Sequence, residues 1–191
     1  MTLKQEYENK KNELYGKIRE AIYNNDVRGT KIDENIKILN LQGENLIDRT
    51  EIDNSIQKEI EAKTKAAETF RNALYVYFDN IENMIMESLT PTPEKIRDLK
   101  TLIDYEAEQS EYNMILEKYK DDAFTTSGII DHIKANRTDI TIPDDVIDYR
   151  TELEELMTLK ENVKNVITDN KLSYYYMASK DNLIKSNVIS E

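Results

Sequence analysis

Residues 56–84 read IQKEIEAKTKAAETFRNALYVYFDNIENM. Along this stretch Ile56, Ile60, Lys63, Ala67, Phe70, Leu74, Tyr77, Ile81 and Met84 alternate steps of four and three. That spacing is the seam of a coiled coil or a long helix bundle, because it returns each residue to one face of an α-helix. Lys63 interrupts the seam, and a polar residue there costs stability while fixing register. From Phe70 onward the apolar surface widens through Tyr75, Val76, Phe78, Ile85 and Met86, as expected for burial by several helices or by another subunit.

Working outward, no proline occurs before Pro91, so the helical pattern extends from 31 to 89. About 59 residues at 1.5 Å rise give a rod of about 90 Å, which predicts an elongated molecule. Either the molecule is elongated or Gly43 breaks the helix; glycine costs only about 1 kcal/mol in a helix interior, which favours a helix that continues through it. A first helix is expected over 2–23, with Leu3, Tyr7, Leu14, Ile18 and Ile22 on one face. Asn24-Asn25-Asp26 and Gly29 read as the turn that follows, since Asn and Gly tolerate left-handed backbone. Thr30 and Asp33 then approximate a capping box.

Thr90-Pro91-Thr92-Pro93 is the clearest boundary, with Thr92 as N-cap and Pro93 in the first helical position. A third helix is expected over 93–120, its seam formed by Ile96, Leu99, Ile103, Ala107, Ser110 and Met114, with Tyr105, Tyr112, Ile115 and Tyr119 on its flank. So short a connection predicts an antiparallel hairpin with the preceding helix. Residues 121–145 are less regular, with a short helix over 127–135 and an extended run over 137–143. The last helix is expected from 143 or 144, with the seam Val146, Tyr149, Leu153, Leu156, Lys160, Val163, Ile167, Asn170, Tyr174 and Met177.

The resulting expectation is an all-α fold, an elongated antiparallel helical hairpin or coiled-coil bundle of about four helices. Its segments are an N-terminal helix (1–25), a long hairpin (30–120), an irregular segment (121–145) and a C-terminal coiled-coil helix (146–191).

Composition narrows the function. The 191 residues carry a net charge of -12, with no cysteine, no tryptophan, four glycines, three prolines and one histidine. No disulfide or thiolate metal site is possible. The acidic balance opposes direct nucleic-acid binding, which needs phosphate neutralisation by Lys and Arg. The polar N-terminus lacks a secretory h-region, and the most apolar run, 73–89, contains Asp79, Glu82 and Glu87, so no membrane span is expected. The expected setting is soluble, either cytoplasmic or within a virion.

Catalytic patterns are missing from the sequence. A single His132 excludes a paired Glu-x-x-His di-iron site. The glycines are too far apart for a phosphate loop. Asp121-Asp122 and Asp144-Asp145 lack the alternating ligands of a calcium loop and read as helix caps. No cofactor, no metal and no catalysis are expected. Tyr174-Tyr175-Tyr176 covers three sides of a helix at one level, which reads as one core residue with two boundary neighbours or as a contact patch, given the enrichment of tyrosine at interfaces. The expected protein-contact residues are Ile56, Ile60, Phe70, Leu74, Tyr77, Ile81, Leu153, Leu156, Val163, Ile167, Asn170, Tyr174, Tyr175 and Tyr176.

Ile32, Ile36, Leu39, Gln42, Leu46, Ile56, Ile60, Ala67 and Phe70 fall where hydrophobic layers would surround a central glutamine. This spacing, with Gln42-Gly43-Glu44-Asn45-Leu46 at its middle, resembles a SNARE helix of the glutamine-b type, most like the synaptosome-associated members. Arg49, Asp53 and Lys63 stand where that family has apolar layers. The resemblance implies membrane-fusion machinery.

Taken together, these features lead to the expectation of a non-enzymatic structural or assembly protein that contacts itself or other helical proteins. Heavy use of Ile, Lys, Asn and Tyr fits an A+T-rich genome and a phage or viral assembly component. The alternative is a helical binding module or inhibitor docking on a host protein, including a SNARE-like coiled-coil partner.

Overall fold

A computed structural model describes residues 1–44, 49–105, 107–168 and 171–190. Among these residues the chain is all helical, with no strand: α1 (Leu3–Gly43), α2 (Thr50–Leu89), α3 (Pro93–Ile103), α4 (Gln109–Tyr119), α5 (Ala123–Asn136), α6 (Tyr149–Val166) and α7 (Tyr174–Lys185). The backbone divides into two units. Unit 1 takes Met1–Asn12 and Phe78–Thr158; unit 2 takes Glu13–Tyr77 and Leu159–Glu191. Each is discontinuous in sequence.

The first correction concerns the turn between the first two helices. α1 runs through Asn24-Asn25-Asp26 and Gly29, and the second helix starts at Thr50 rather than Thr30. Packing explains the continuity. Asn25 is buried, and its amide donates to the Thr168 carbonyl oxygen at 3.4 Å. Gly29 is buried too, and a Cβ there would meet Lys63 Cε at 3.6 Å, an ordinary contact. Thr30 caps nothing; its hydroxyl donates to the Asp26 carbonyl one turn back, at 2.9 Å. Propensity costs in a helix interior reach only about 1 kcal/mol per residue, so burial of this side of α1 can override them.

The expected uninterrupted helix over 31–89 is likewise corrected, since α1 ends at Gly43. A Cβ at Gly43 would lie 3.1 Å from Arg49 Nε and 3.2 Å from Ile52 Cγ2, so a larger residue would have to displace those side chains by a few tenths of an ångström.

In unit 2 the long portions of α1 and α2 pack antiparallel. Lys63 Nζ reaches both carboxylate oxygens of Asp33 at 2.8 and 3.0 Å, and Asn35 Nδ2 donates to Glu59 at 3.4 Å. The polar interruption of the α2 seam is therefore an interhelical ion pair. Leu14, Ile18, Ala21 and Ile32 of α1 are buried, as are Ala66, Ala67 and Leu74 of α2. The C-terminal turns of α6 add Val163 and Val166, followed by Ile167; α7 adds Tyr176 and Leu183. α6 and α7 are antiparallel neighbours, since Asn165 Nδ2 donates to Ser179 Oγ at 3.1 Å and Asn182 Nδ2 to Asn162 Oδ1 at 3.4 Å. Lys160, a polar position in the expected seam, lies over the Tyr75 ring at 5.1 Å.

Unit 1 is organised around α5, which is longer than the helix expected over 127–135. Asp122 starts it early by accepting from the Thr125 amide (3.5 Å) and hydroxyl (2.7 Å). Ile129, Ile130 and Ile133 form a core with Ala107, Tyr112, Leu116 and Ile140. α3 approaches so closely that a Cβ at Gly128 would stand 2.5 Å from Leu99 Cδ2.

The helix expected over 93–120 is two helices. Glu108 occupies the N-cap of α4, and its amide donates to the Glu111 carboxylate at 2.9 Å. The break moves the buried face: of the expected seam Ala107 is buried but Ile96, Ser110 and Met114 are exposed, while Tyr112 of the flank and Leu116, which belongs to neither set, are buried. The run over 137–143 forms no strand. The Gln109 side chain instead takes both backbone groups of Thr141, accepting at 2.7 Å and donating at 2.8 Å. The expected last helix also divides, because Ser173 caps α7 by accepting from the Tyr176 amide at 3.1 Å.

Candidate interaction surface

The expected contact residues separate into groups once the helices are placed. Leu74, Ile81, Leu156, Val163, Ile167 and Tyr176 are buried within the chain itself. Ile56, Phe70, Tyr77 and Leu153 are half-buried, and Ile60 is exposed. Tyr174 and Tyr175 are 80% and 70% exposed. Asn170 lies outside the described residues, as does Leu46 of the SNARE-like pattern. Within the span of that pattern α1 ends at Gly43 and α2 starts at Thr50.

The tyrosine run divides as its helical position requires. Tyr176 turns into unit 2, while Tyr174 and Tyr175 face outward with their rings edge to face at 6.0 Å. Leu172 and Met177 beside them are also exposed, giving an apolar patch at the start of α7. Lys171, just before it, pairs with Asp26 of α1 at 2.6 Å.

A second set of exposed apolar residues lies on α1: Tyr23, Val27, Ile38 and Leu41. Sequence reading missed this set because the turn it placed at 24–29 divided the residues between two helices. The spacing of four between Tyr23 and Val27 and of three between Ile38 and Leu41 was the available signal.

Unit 2 also has a shallow cleft with Asn25, Ile32 and Ala66 in its buried wall and Arg28, Lys63 and Lys171 around it. Asp33 and Asp26 neutralise two of these cations at 2.8 and 2.6 Å.

In unit 1, Tyr7 donates its hydroxyl to Glu152, which also pairs with Lys11 at 2.7 Å. The Tyr7 ring meets Tyr149 edge-on at 5.9 Å. Burial, with the nearby charges of Asp121, Glu8 and Glu152, raises the Tyr149 phenol far above its ordinary pKa. Its hydroxyl has no hydrogen-bond partner among the described residues. Tyr149 therefore stays a neutral packing residue.

Of the two acidic pairs, Asp144-Asp145 lies in a turn ahead of α6, which starts at Tyr149 rather than at 143 or 144, so it caps no helix, whereas Asp121-Asp122 is engaged. Asp122 caps α5 and pairs with Lys95 at 2.9 Å, and Asp121 accepts from the Leu3 amide at 3.1 Å. His132 is half-buried, with Nδ1 3.3 Å from Asn136 Nδ2. Among the described residues no group of three or more His, Asp or Glu is placed to hold a metal ion, and no helix is long and apolar enough to cross a membrane. Comparison with protein-family models, curated proteins and solved structures finds no match.

Proposed function

We propose that the chain is a non-enzymatic structural or assembly protein that works through helical coiled-coil contacts, as a scaffold, core or connector-associated component of a phage or viral particle. In this reading the molecule is an elongated antiparallel hairpin bundle, and its partners are copies of itself or other helical proteins. The observation that carries the reading is the placement of large apolar side chains in water. Tyr174 and Tyr175 stand exposed beside Leu172 and Met177, and four more residues line the outside of α1. Grouped apolar side chains in water favour burial against a partner. The particle setting rests on the Ile-, Lys-, Asn- and Tyr-rich composition.

Negative-stain electron microscopy of the concentrated purified chain tests this. Rings, tubes or other assemblies of many copies are expected. Particles no larger than a dimer would contradict the assembly role and favour a binding module that docks on another protein.

A further inference from the structure

We infer that the outward face of α1 is a self-complementary docking surface, and that it takes a second copy of this chain with the two α1 helices antiparallel. This deepens the contact reading above by naming the partner and its geometry.

The inference starts from two lines of side chains on one helix. Within unit 2, the buried residues Leu14, Ile18, Ala21, Asn25 and Ile32 follow one line along α1. At about 100° per residue, Tyr23, Val27, Ile38 and Leu41 fall within about 60° of each other on the opposite line. They are 69%, 52%, 54% and 65% exposed. A helix with one partner needs one apolar stripe; this helix carries two.

The spacing selects the occupant. Place a second α1 antiparallel, with the two-fold axis beside residue 32. Tyr23 then lies opposite Leu41 of the second copy, and Val27 within one residue of Ile38, about 1.5 Å along the axis. Each pairing occurs twice, as an isologous interface requires. Every exposed apolar residue of the stripe meets an apolar residue. Between them, Glu34 lies opposite Thr30. A parallel pair would set the two Glu34 level with each other, whereas the antiparallel pair separates them by about 6 Å along the helix axis.

Charge supports the same arrangement. In an antiparallel pair, each flank of one helix runs beside the same flank of the other. Asp26 and Lys37 share one flank and come within a turn of each other across the axis. On the other side Lys31 comes level with Glu34 of the second copy. Lys31, Glu34 and Lys37 are exposed, and none has a partner among the described residues. Asp26 pairs with Lys171, which places the apolar start of α7 next to this flank and extends the surface.

The absence of cysteine allows a direct test by disulfide trapping. Single variants Tyr23→Cys and Leu41→Cys are purified, then oxidised mildly either alone or mixed. In the antiparallel pair the two copies of residue 23 are about 27 Å apart along the helix, far beyond the reach of a disulfide. The mixture is expected to give a covalent dimer containing one chain of each variant, while either variant alone stays uncrosslinked. Adding Val27→Glu to both variants should abolish the crosslink with the helical circular dichroism unchanged. Self-crosslinking of each variant alone would overturn the inference in favour of a parallel pair. No crosslink in any mixture, or a crosslink insensitive to Val27→Glu, would overturn it too. The two readings fail separately: large particles without the mixed crosslink remove only this interface, and the mixed crosslink without large particles removes only the assembly role.

Discussion

In α5, eight of fourteen residues are buried, among them the consecutive run Thr125, Thr126, Ser127, Gly128, Ile129 and Ile130. Consecutive burial means that the helix is covered on every side. Along α1 the buried residues keep to one line, and large apolar side chains recur on the line opposite. Both are helices rich in isoleucine, yet one has its surface used up within the chain and the other has a face left over. Burial decides which substitutions damage folding and which can affect only association.

The largest expected effect breaks that contrast at its strongest point. Ile130→Asp should destabilise the chain by about 4 kcal/mol or unfold it, because an unpaired charge enters a closed core. Val27→Asp on the open face should change the stability of the isolated chain by less than about 0.5 kcal/mol. Urea denaturation of the two variants measures the difference directly. Equal losses would mean that the α1 face is not free.

Gly128→Val should cost about 1–3 kcal/mol by overpacking against Leu99, whose Cδ2 already occupies the space of the missing Cβ. Thermal unfolding checks this, and a shortened residue 99, as in Leu99→Ala, should relieve part of the loss.

Asp148→Asn comes next, at about 1 kcal/mol, the usual worth of a residue that holds a helix start. Asp148 directly precedes α6 and accepts from Lys134 Nζ (2.8 Å) and the Thr151 hydroxyl (2.9 Å). Burial pushes its carboxyl pKa up, but these hydrogen bonds and the Lys134 charge outweigh burial and hold it below the ordinary value. With the folded pKa below the unfolded one, the contribution is complete above about pH 4 and disappears as pH falls through the folded value. Wild-type stability should therefore decline more steeply than that of the variant on the acid side, and the two should differ by a constant amount at neutral pH.

Gly16→Ala should give the smallest change, a gain of about 0.5–1 kcal/mol. Gly16 is exposed in mid-helix with nothing within 4 Å of a new Cβ, so only its helix propensity matters. Against Gly128→Val, it sets a free position beside a filled one.

The same contrast explains what was legible in the sequence. Helix content was clear, because heptad steps such as Leu74, Tyr77 and Ile81 register on a single chain. The start of α3 was clear as well, since Thr92 and Pro93 act locally: the Thr92 hydroxyl accepts from the Lys95 amide at 3.2 Å. Breaks set by tertiary contacts were hidden. Gly29 looked like a turn and Gly43 like a tolerated interior residue, and the structure reverses both: α1 runs through Gly29 and ends at Gly43. The start of α4 escaped notice because glutamate is an unusual N-cap residue. Of the candidate surface, Tyr174 and Tyr175 were legible from their spacing. The α1 stripe was not, because it emerges only when residues 23–41 belong to one helix.

Light scattering coupled to size exclusion tests the open face of α1 most directly. The wild-type chain is predicted to show a mass of at least about twice 22.4 kDa, and Val27→Glu combined with Leu41→Glu a smaller mass with unchanged helicity. A wild-type mass of 22.4 kDa across the accessible concentration range would contradict it, as would equal masses for the two proteins.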